Sequence, residues 1–61
     1  MKPLTTVEMK QLRIRLGALR VRQTSDGEVH AYGDFPRGDG GPRPWWRHEG
    51  TVNDVRRMLS E

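Results

Sequence analysis

A hairpin signature between Ala18 and Tyr32 constrains the fold of this chain more than any other feature. Apolar and polar residues alternate on both sides of a Ser25-Asp26-Gly27 turn. Alternation with a period of two is typical of half-buried strands, because successive side chains point to opposite faces of a sheet. Gly27 suits the left-handed position that ends a three-residue loop. The stretch therefore predicts two antiparallel strands joined by a tight turn.

The length of the loop sets the register of the two strands. With a three-residue loop, Val21 lies opposite Ala31 and both side chains can face the core. A two-residue Asp-Gly loop would place Val21 opposite Tyr32 and mix the two faces. Because a slip of one residue exchanges the faces, burial favours the three-residue loop. The opposite face of this predicted hairpin carries Arg20, Arg22, His30 and Tyr32.

A capping box opens the segment before the hairpin. Thr5 and Glu8 have the T-x-x-E spacing in which each side chain bonds the other residue's backbone N–H. Apolar residues then recur at helical intervals, and these signals predict a helix over 6–16 that stops at Gly17. An alternative remains open, because residues 12–16 also alternate as a strand would. In that case the helix would end before this stretch.

The C-terminal part of the chain predicts one more strand and one more helix. Trp45-Trp46-Arg47-His48 predicts a third strand that Glu49-Gly50 interrupts. Neighbouring strand residues face opposite sides, so one Trp is expected in the core and the other on the outer face, with either assignment open. Thr51 and Asp54 repeat the capping spacing, and the apolar residues that follow predict a helix over 52–60.

The predicted fold is a small two-layer α+β domain in the order helix, three antiparallel strands, helix, with both helices on one face of the sheet. Residues 33–44 are rich in Gly and Pro and are expected to form an irregular loop. The chain has 61 residues and no cysteine, which limits it to one domain without disulfides. The expected core contains Met9, Leu12, Leu16, Leu19, Val21, Val29, Ala31, one Trp, Val52, Val55 and Leu59.

The charge of the chain permits a nucleic-acid partner without requiring one. Eleven Lys and Arg against eight Asp and Glu give a net charge of +3, and Arg predominates over Lys. Guanidinium groups suit phosphate and carboxylate partners, although a GC-rich genome would produce the same excess of Arg. The sequence contains no apolar run of membrane-spanning length and no signal-peptide core. We therefore expect a cytoplasmic protein without a membrane partner.

The predicted element order is similar to that of the double-stranded-RNA-binding fold and of the small HicA-type toxin ribonucleases. Arg22-Gln23, Gly27 and His30 resemble the stretch around the catalytic histidine of those toxins, but the Gly-Ser-His of that family is absent. The resemblance implies RNA as a partner to consider and adds little to the case for catalysis.

The titratable residues do not form a catalytic or metal-binding pattern. His30 and His48 could each act as a general base, or each could be a polar residue on an exposed strand face. The acidic residues are scattered, and several occupy turns where Asp is structurally favoured. Two histidines without cysteine are too few for a convincing metal site. We expect no enzyme, no cofactor, no metal and no small-molecule substrate.

Two functions fit these features. One is a nucleic-acid-binding accessory or regulatory module, because Trp and Arg stack on bases and bind phosphates. The alternative is a phage- or plasmid-type inhibitor or adaptor that binds an acidic surface of a host protein or nucleoprotein complex, because Trp and Arg are enriched in binding hot spots. A homodimer is also compatible with so small a chain. The candidate contact residues are Arg20, Arg22, His30, Tyr32, Arg43, Trp45, Trp46 and Arg47.

Overall fold

The structure, a computed structural model, describes residues 2–36 and 43–61 and confirms the predicted α+β fold. Its three strands form one antiparallel sheet in the order β1-β2-β3, so β2 is the central strand. Part of the loop expected over 33–44, including Arg37, lies outside the described residues, and Gly33 itself ends β2. The elements are α1 (Thr6–Leu16), β1 (Arg20–Gln23), β2 (Glu28–Gly33), β3 (Trp45–Thr51) and α2 (Val52–Leu59).

Helix α1 has the predicted bounds because both of its ends are capped. The Thr5 hydroxyl accepts from the Glu8 backbone N–H at 3.2 Å, and the Glu8 carboxylate accepts from the Thr5 N–H at 2.9 Å. Gly17 ends the helix in the left-handed conformation, with φ 67°. Residues 12–16 are helical, so the strand alternative is wrong. A strand would have placed Ile14 on the face of Leu12, whereas Ile14 is 68 % exposed.

The hairpin has the predicted register. Val21 pairs with Ala31, and Arg22 pairs with His30. The loop is closed by the Thr24 N–H, which donates to the Glu28 carbonyl at 2.9 Å. Gly27 has φ 83°, the left-handed conformation that the three-residue loop requires.

Strand β3 is longer than predicted, because Glu49-Gly50 does not interrupt it. His48 pairs with His30 and Gly50 pairs with Val29, so Glu49 is one extra residue in β3. Such a β-bulge bends a strand without ending it, and Gly50 accommodates the bend with φ 119°. The strand continues to Thr51.

Thr51 is both the last residue of β3 and the N-cap of α2. Its hydroxyl accepts from the Asp54 N–H, and the Asp54 carboxylate accepts from the Thr51 N–H, each at 3.1 Å. These bonds lower the pKa of the Asp54 carboxyl. Helix α2 ends at Leu59, one residue before the predicted limit, with Ser60 as its C-cap.

The two helices pack on the same side of the sheet. The buried residues of the main core come from the N-terminal segment, α1, β2 and α2, and a smaller cluster lies beyond the end of α1. The main core contains Leu4, Leu12, Val29, Val52 and Val55. The smaller cluster contains Ala18, Ala31 and Phe35.

Leu19 is the clear error in the predicted core, since it is 59 % exposed. The left-handed Gly17 turns the chain out of the helix, so Leu19 no longer continues the apolar stripe of α1. Ala18 takes the buried position instead. Leu4 and Phe35 enter the core although they were not included in it, and the Trp expected there is only partly buried.

Two sets of polar contacts hold the N-terminal segment in place. The Gln23 amide bonds both backbone groups of Leu4, accepting at 2.7 Å and donating at 3.1 Å. Arg56 donates two hydrogen bonds to the Glu8 carboxylate, at 2.8 and 3.0 Å. The same guanidinium donates to the carbonyls of Lys2 and Pro3. Through these bonds α2 is tied to α1 and to the residues that precede it.

We expect Leu12→Ala to lower the free energy of unfolding by about 2–5 kcal/mol, because the side chain is fully buried and its loss leaves a cavity. The matched control is Leu19→Ala, which removes the same atoms from an exposed position and should cost less than about 1 kcal/mol. Urea denaturation followed by circular dichroism measures both values. Equal losses in the two variants would contradict the assignment of the core.

The Glu8–Arg56 contact predicts how stability depends on pH. The bonds from Arg56, followed by the cap bond from Thr5, lower the pKa of the Glu8 carboxyl from 4.5 to about 2. Because the folded pKa lies below the unfolded one, the stabilisation is complete above about pH 4.5 and is lost as the pH falls toward 2. Solvent screening keeps the effect modest, since both side chains are partly exposed.

Urea denaturation at pH 7 and at about pH 3 tests this expectation. Glu8→Gln should be less stable than the wild type at pH 7, and the difference should shrink in acid. Glu61→Gln, at the exposed C-terminus, is the matched control and should leave the acid sensitivity unchanged. A constant difference between Glu8→Gln and the wild type at both pH values would refute the role of this ion pair.

Candidate binding face on the open side of the sheet

The side of the sheet opposite the helices presents one continuous surface, called here the outer face. Cross-strand pairing sets its composition, since Tyr32 pairs with Arg20 on β1 and with Trp46 on β3. His30 is likewise flanked by Arg22 and His48. The outer face consists of Arg20, Arg22, Glu28, His30, Tyr32, Trp46 and His48.

An aromatic pair forms the centre of the outer face. The rings of Tyr32 and Trp46 lie 5.2 Å apart with an angle of 47° between their planes. The Arg22 guanidinium lies over the Trp46 ring, 4.3 Å from its centroid. Such cross-strand and cation–π contacts hold the three side chains in a defined arrangement. Trp46 nevertheless remains 36 % exposed.

A depression of about 420 Å³ lies beside this aromatic pair. It is lined by Leu19, Arg20, Tyr32 and Trp46. Arg22 does not line it, so the part of the indole that faces the depression is open. The exposed Leu19, which the sequence pattern had placed in the core, forms part of this surface. The volume of the depression falls in the range of small-ligand sites, about 300–1,000 Å³.

Two histidines lie at the other end of the outer face. Their ring centroids, in His30 and His48, are 5.2 Å apart. The Nε2–H of His48 donates to the Glu28 carboxylate at 2.8 Å, and Arg22 Nε makes a long hydrogen bond of 3.4 Å to His30 Nδ1. Imidazole and guanidinium N–H groups are therefore concentrated within one small area. Since the Nε2–H of His48 and the Nε–H of Arg22 have these partners, the donors that remain for an anionic group such as a phosphate are the terminal Arg22 nitrogens and the Nε2–H of His30.

His48 and Glu28 were not among the predicted contact residues, although the sequence contained a signal for one of them. Side chains two positions apart on a strand share a face, so an outward Trp46 implies an outward His48. Glu28 could not be found in this way, because its contact with His48 joins residues on different strands.

Two of the predicted contact residues lie on the opposite side of the sheet. Trp45 pairs with Gly33, and Arg47 pairs with Ala31, so both side chains face the helix side. Trp45 is partly buried against Phe35, edge to face, with its Nε1–H donating to the Phe35 carbonyl at 3.0 Å. The structure therefore does not bring Trp45 into the outer face.

Arg47 is held by structural contacts on the helix side. Its guanidinium lies 3.9 Å from the centroid of the Phe35 ring and donates to the Glu49 carboxylate at 2.6 and 3.1 Å. These bonds raise the pKa of Arg47 above its usual value. Arg43 is exposed just before β3 begins. Among the predicted contact residues, Arg20, Arg22, His30, Tyr32 and Trp46 are the ones that the outer face brings together.

The fold and the outer face define a small α+β domain with one open, basic and aromatic sheet surface. Within residues 2–36 and 43–61, no group of three or more His, Cys, Asp or Glu side chains is placed to hold a metal ion. In the same ranges, no helix is both long enough and apolar enough to cross a membrane. The chain matches no model of a known protein family, and searches of curated proteins and of solved structures find no significant match.

The two tryptophans should differ sharply in their contributions to stability. Trp45→Ala removes a partly buried ring and its hydrogen bond to the Phe35 carbonyl, and should cost about 2 kcal/mol. Trp46→Ala removes a ring from the outer face and should cost less than about 1 kcal/mol. Thermal melts of both variants at neutral pH measure the difference. A larger loss for Trp46→Ala would mean that the faces of β3 are assigned the wrong way round.

Proposed function

We propose that this chain is a non-enzymatic nucleic-acid-binding module that contacts a single strand through the outer face. The observation that carries the proposal is the Tyr32–Trp46 pair on an open sheet surface, with Arg20 and Arg22 beside it. Aromatic rings next to guanidinium groups are the combination that proteins use to bind single-stranded nucleic acid without strict sequence preference.

The depression beside the aromatic pair supports binding of an unpaired base. Its lining offers the ring surfaces of Tyr32 and Trp46, an apolar side chain in Leu19 and a cation in Arg20. A flat base can stack on either ring while its edge or phosphate meets the guanidinium. Bases in a duplex are stacked on each other and cannot enter such a depression, so the proposal specifies single strands.

The histidine end of the outer face supports binding of the adjacent backbone. The Arg22 guanidinium lies over Trp46 and is hydrogen-bonded to His30, whose ring is next to that of His48. The terminal nitrogens of Arg22 could bind a phosphate there. The Glu28 carboxylate partly offsets the positive potential of Arg20 and Arg22. Its bond to His48 holds that ring in place. Phosphate binding by a few cations gives modest affinity that falls as salt displaces the contacts.

Substitution of Trp46 tests the base contact. Trp46→Ala should weaken binding of a fluorescein-labelled oligouridylate by about 1–3 kcal/mol, because one stacking surface is lost. Fluorescence anisotropy at low salt measures the affinity. Leu59→Ala on α2 is the control for a mild change in packing and should bind as the wild type does. Equal affinity of wild type and Trp46→Ala would exclude the outer face as the base-binding surface.

Substitution of arginines tests the phosphate contact. Arg22→Ala should weaken binding at low salt and reduce the slope of log K against log salt by about 0.7, the value for one phosphate on a single strand. Arg15→Ala on α1 removes the same charge from an exposed site on the helix side and should leave the slope unchanged. Identical slopes for both variants, or equally tight binding of a duplex of the same length, would contradict the proposal. Binding of no oligonucleotide at all would favour a protein partner for this face.

A further inference from the structure

A second concave surface lies between α1 and the free edge of β1, away from the centre of the outer face. This groove, called here the α1–β1 groove, has a volume of about 440 Å³. Its chemistry differs from that of the outer face, because its described lining contains no aromatic ring. The lining residues are Thr6, Met9, Lys10, Arg13, Leu19, Arg20 and Val21.

The lining of the α1–β1 groove is apolar at its base. Met9 and Val21 pack against the main core and keep part of their surface open to the groove, and Leu19 is largely exposed beside them. Exposed apolar side chains cost free energy in water unless a partner covers them. The base of the groove is thus suited to an aliphatic side chain.

Among the described residues that line the α1–β1 groove, each charged one is a cation. Lys10 and Arg13 are on α1, and Arg20 is on β1 at the boundary with the outer face. Within residues 2–36 and 43–61, no carboxylate lines the groove. A partner whose charge complements these cations is acidic. A symmetric contact between the grooves of two copies of this chain is disfavoured, because it would bring the two sets of cations together.

Strand β1 contributes its exposed backbone edge to the α1–β1 groove. It pairs with β2 on one side and with no strand of the described residues on the other. An edge strand offers a row of unpaired N–H and C=O groups that an extended peptide can bond as an added strand. In such a peptide, alternate side chains point to the same face as Val21, which is toward α1.

We infer that the α1–β1 groove binds an extended acidic segment of a partner protein, which adds to the edge of β1 as a fourth strand. An aliphatic side chain of the segment packs on Met9 and Val21. Carboxylates two residues before and after it share its face and bind Lys10 and Arg13 on α1. A nucleic acid is the poorer occupant, because the groove has aliphatic side chains and a strand edge where a base would need rings. Leu19 and Arg20 also line the depression on the outer face, but the inference rests on Lys10, Arg13 and the edge of β1, and it would give the module a protein partner as well.

The experiment uses a synthetic peptide of repeating Asp-Thr-Val-Thr, which places valine and aspartate on the same face of the added strand. A Lys-Thr-Val-Thr peptide of equal length is the reference probe. Titration into the ¹⁵N-labelled full chain should shift the amides of β1 and of Met9, and only the acidic peptide should do so. The double variant Lys10→Glu/Arg13→Glu should weaken binding at least about tenfold. Trp46→Ala should retain full peptide affinity, so that failure of this inference and failure of nucleic-acid binding can be told apart.

The matched control is Arg15→Glu/Arg57→Glu, which makes the same change in net charge at exposed positions outside the groove. It should retain most of the affinity, and its circular dichroism spectrum should match that of the groove variant. Equal losses of peptide affinity in the two double variants would mean that net charge alone accounts for binding, and would overturn the inference. Shifts confined to the outer face, or no shifts with millimolar peptide, would also overturn it.

Discussion

The packing of both helices against one face of β2 holds this domain together. Val29 and Ala31 on that face are completely buried. Leu12, Val52 and Val55 of the two helices cluster with Val29, whereas Ala31 clusters with Ala18 and Phe35. Because a chain of this length can bury only a small core, each of these side chains carries a large share of the stability. With both helices on the same side, no other helix or strand of the described residues covers the opposite face of β2. The candidate site is therefore a consequence of where the core lies.

Polar contacts extend this small core at its edges. The Gln23 amide bonds the Leu4 backbone and so holds Leu4 next to β1. Arg56 joins α2 to Glu8 and to the backbone before α1. Both contacts link parts of the chain that are far apart in sequence. They restrain the N-terminal segment that supplies Leu4 to the core. In so small a domain, these hydrogen bonds add to the stability that hydrophobic burial gives the main core.

Strand β3 separates the structural aromatic and cationic residues from those that are available for binding. On the helix side, Trp45 and Arg47 both pack on Phe35. On the outer face, Trp46 and His48 join residues of β2 and β1. The bulge at Glu49 inserts one residue without disturbing this division, and Thr51 can then both end the strand and cap α2. Along residues 45–48, the side chains therefore alternate between structural contacts on the helix side and the outer face.

The sequence alone determined the features that depend on local interactions. Two capping boxes set the helix starts, Gly17 set the end of α1, and the three-residue loop set the pairing of Val21 with Ala31. Each of these involves residues close in the chain, and their geometry follows from backbone hydrogen bonds and left-handed glycines. The residues Arg20, Arg22, His30 and Tyr32 could be assigned to one face for the same reason.

Only the tertiary structure decided which residues of β3 face outward and which apolar residues are buried. Alternation states that neighbouring side chains face opposite sides, but the pairing of β3 with β2 selects which side each takes. Leu19 is exposed because Gly17 redirects the chain, while Leu4 is buried because a distant glutamine amide holds it there. The contact between Glu28 and His48 likewise joins separate strands. Contacts between distant residues leave no periodic signal in the sequence, and they emerge only when the strands and helices pack together.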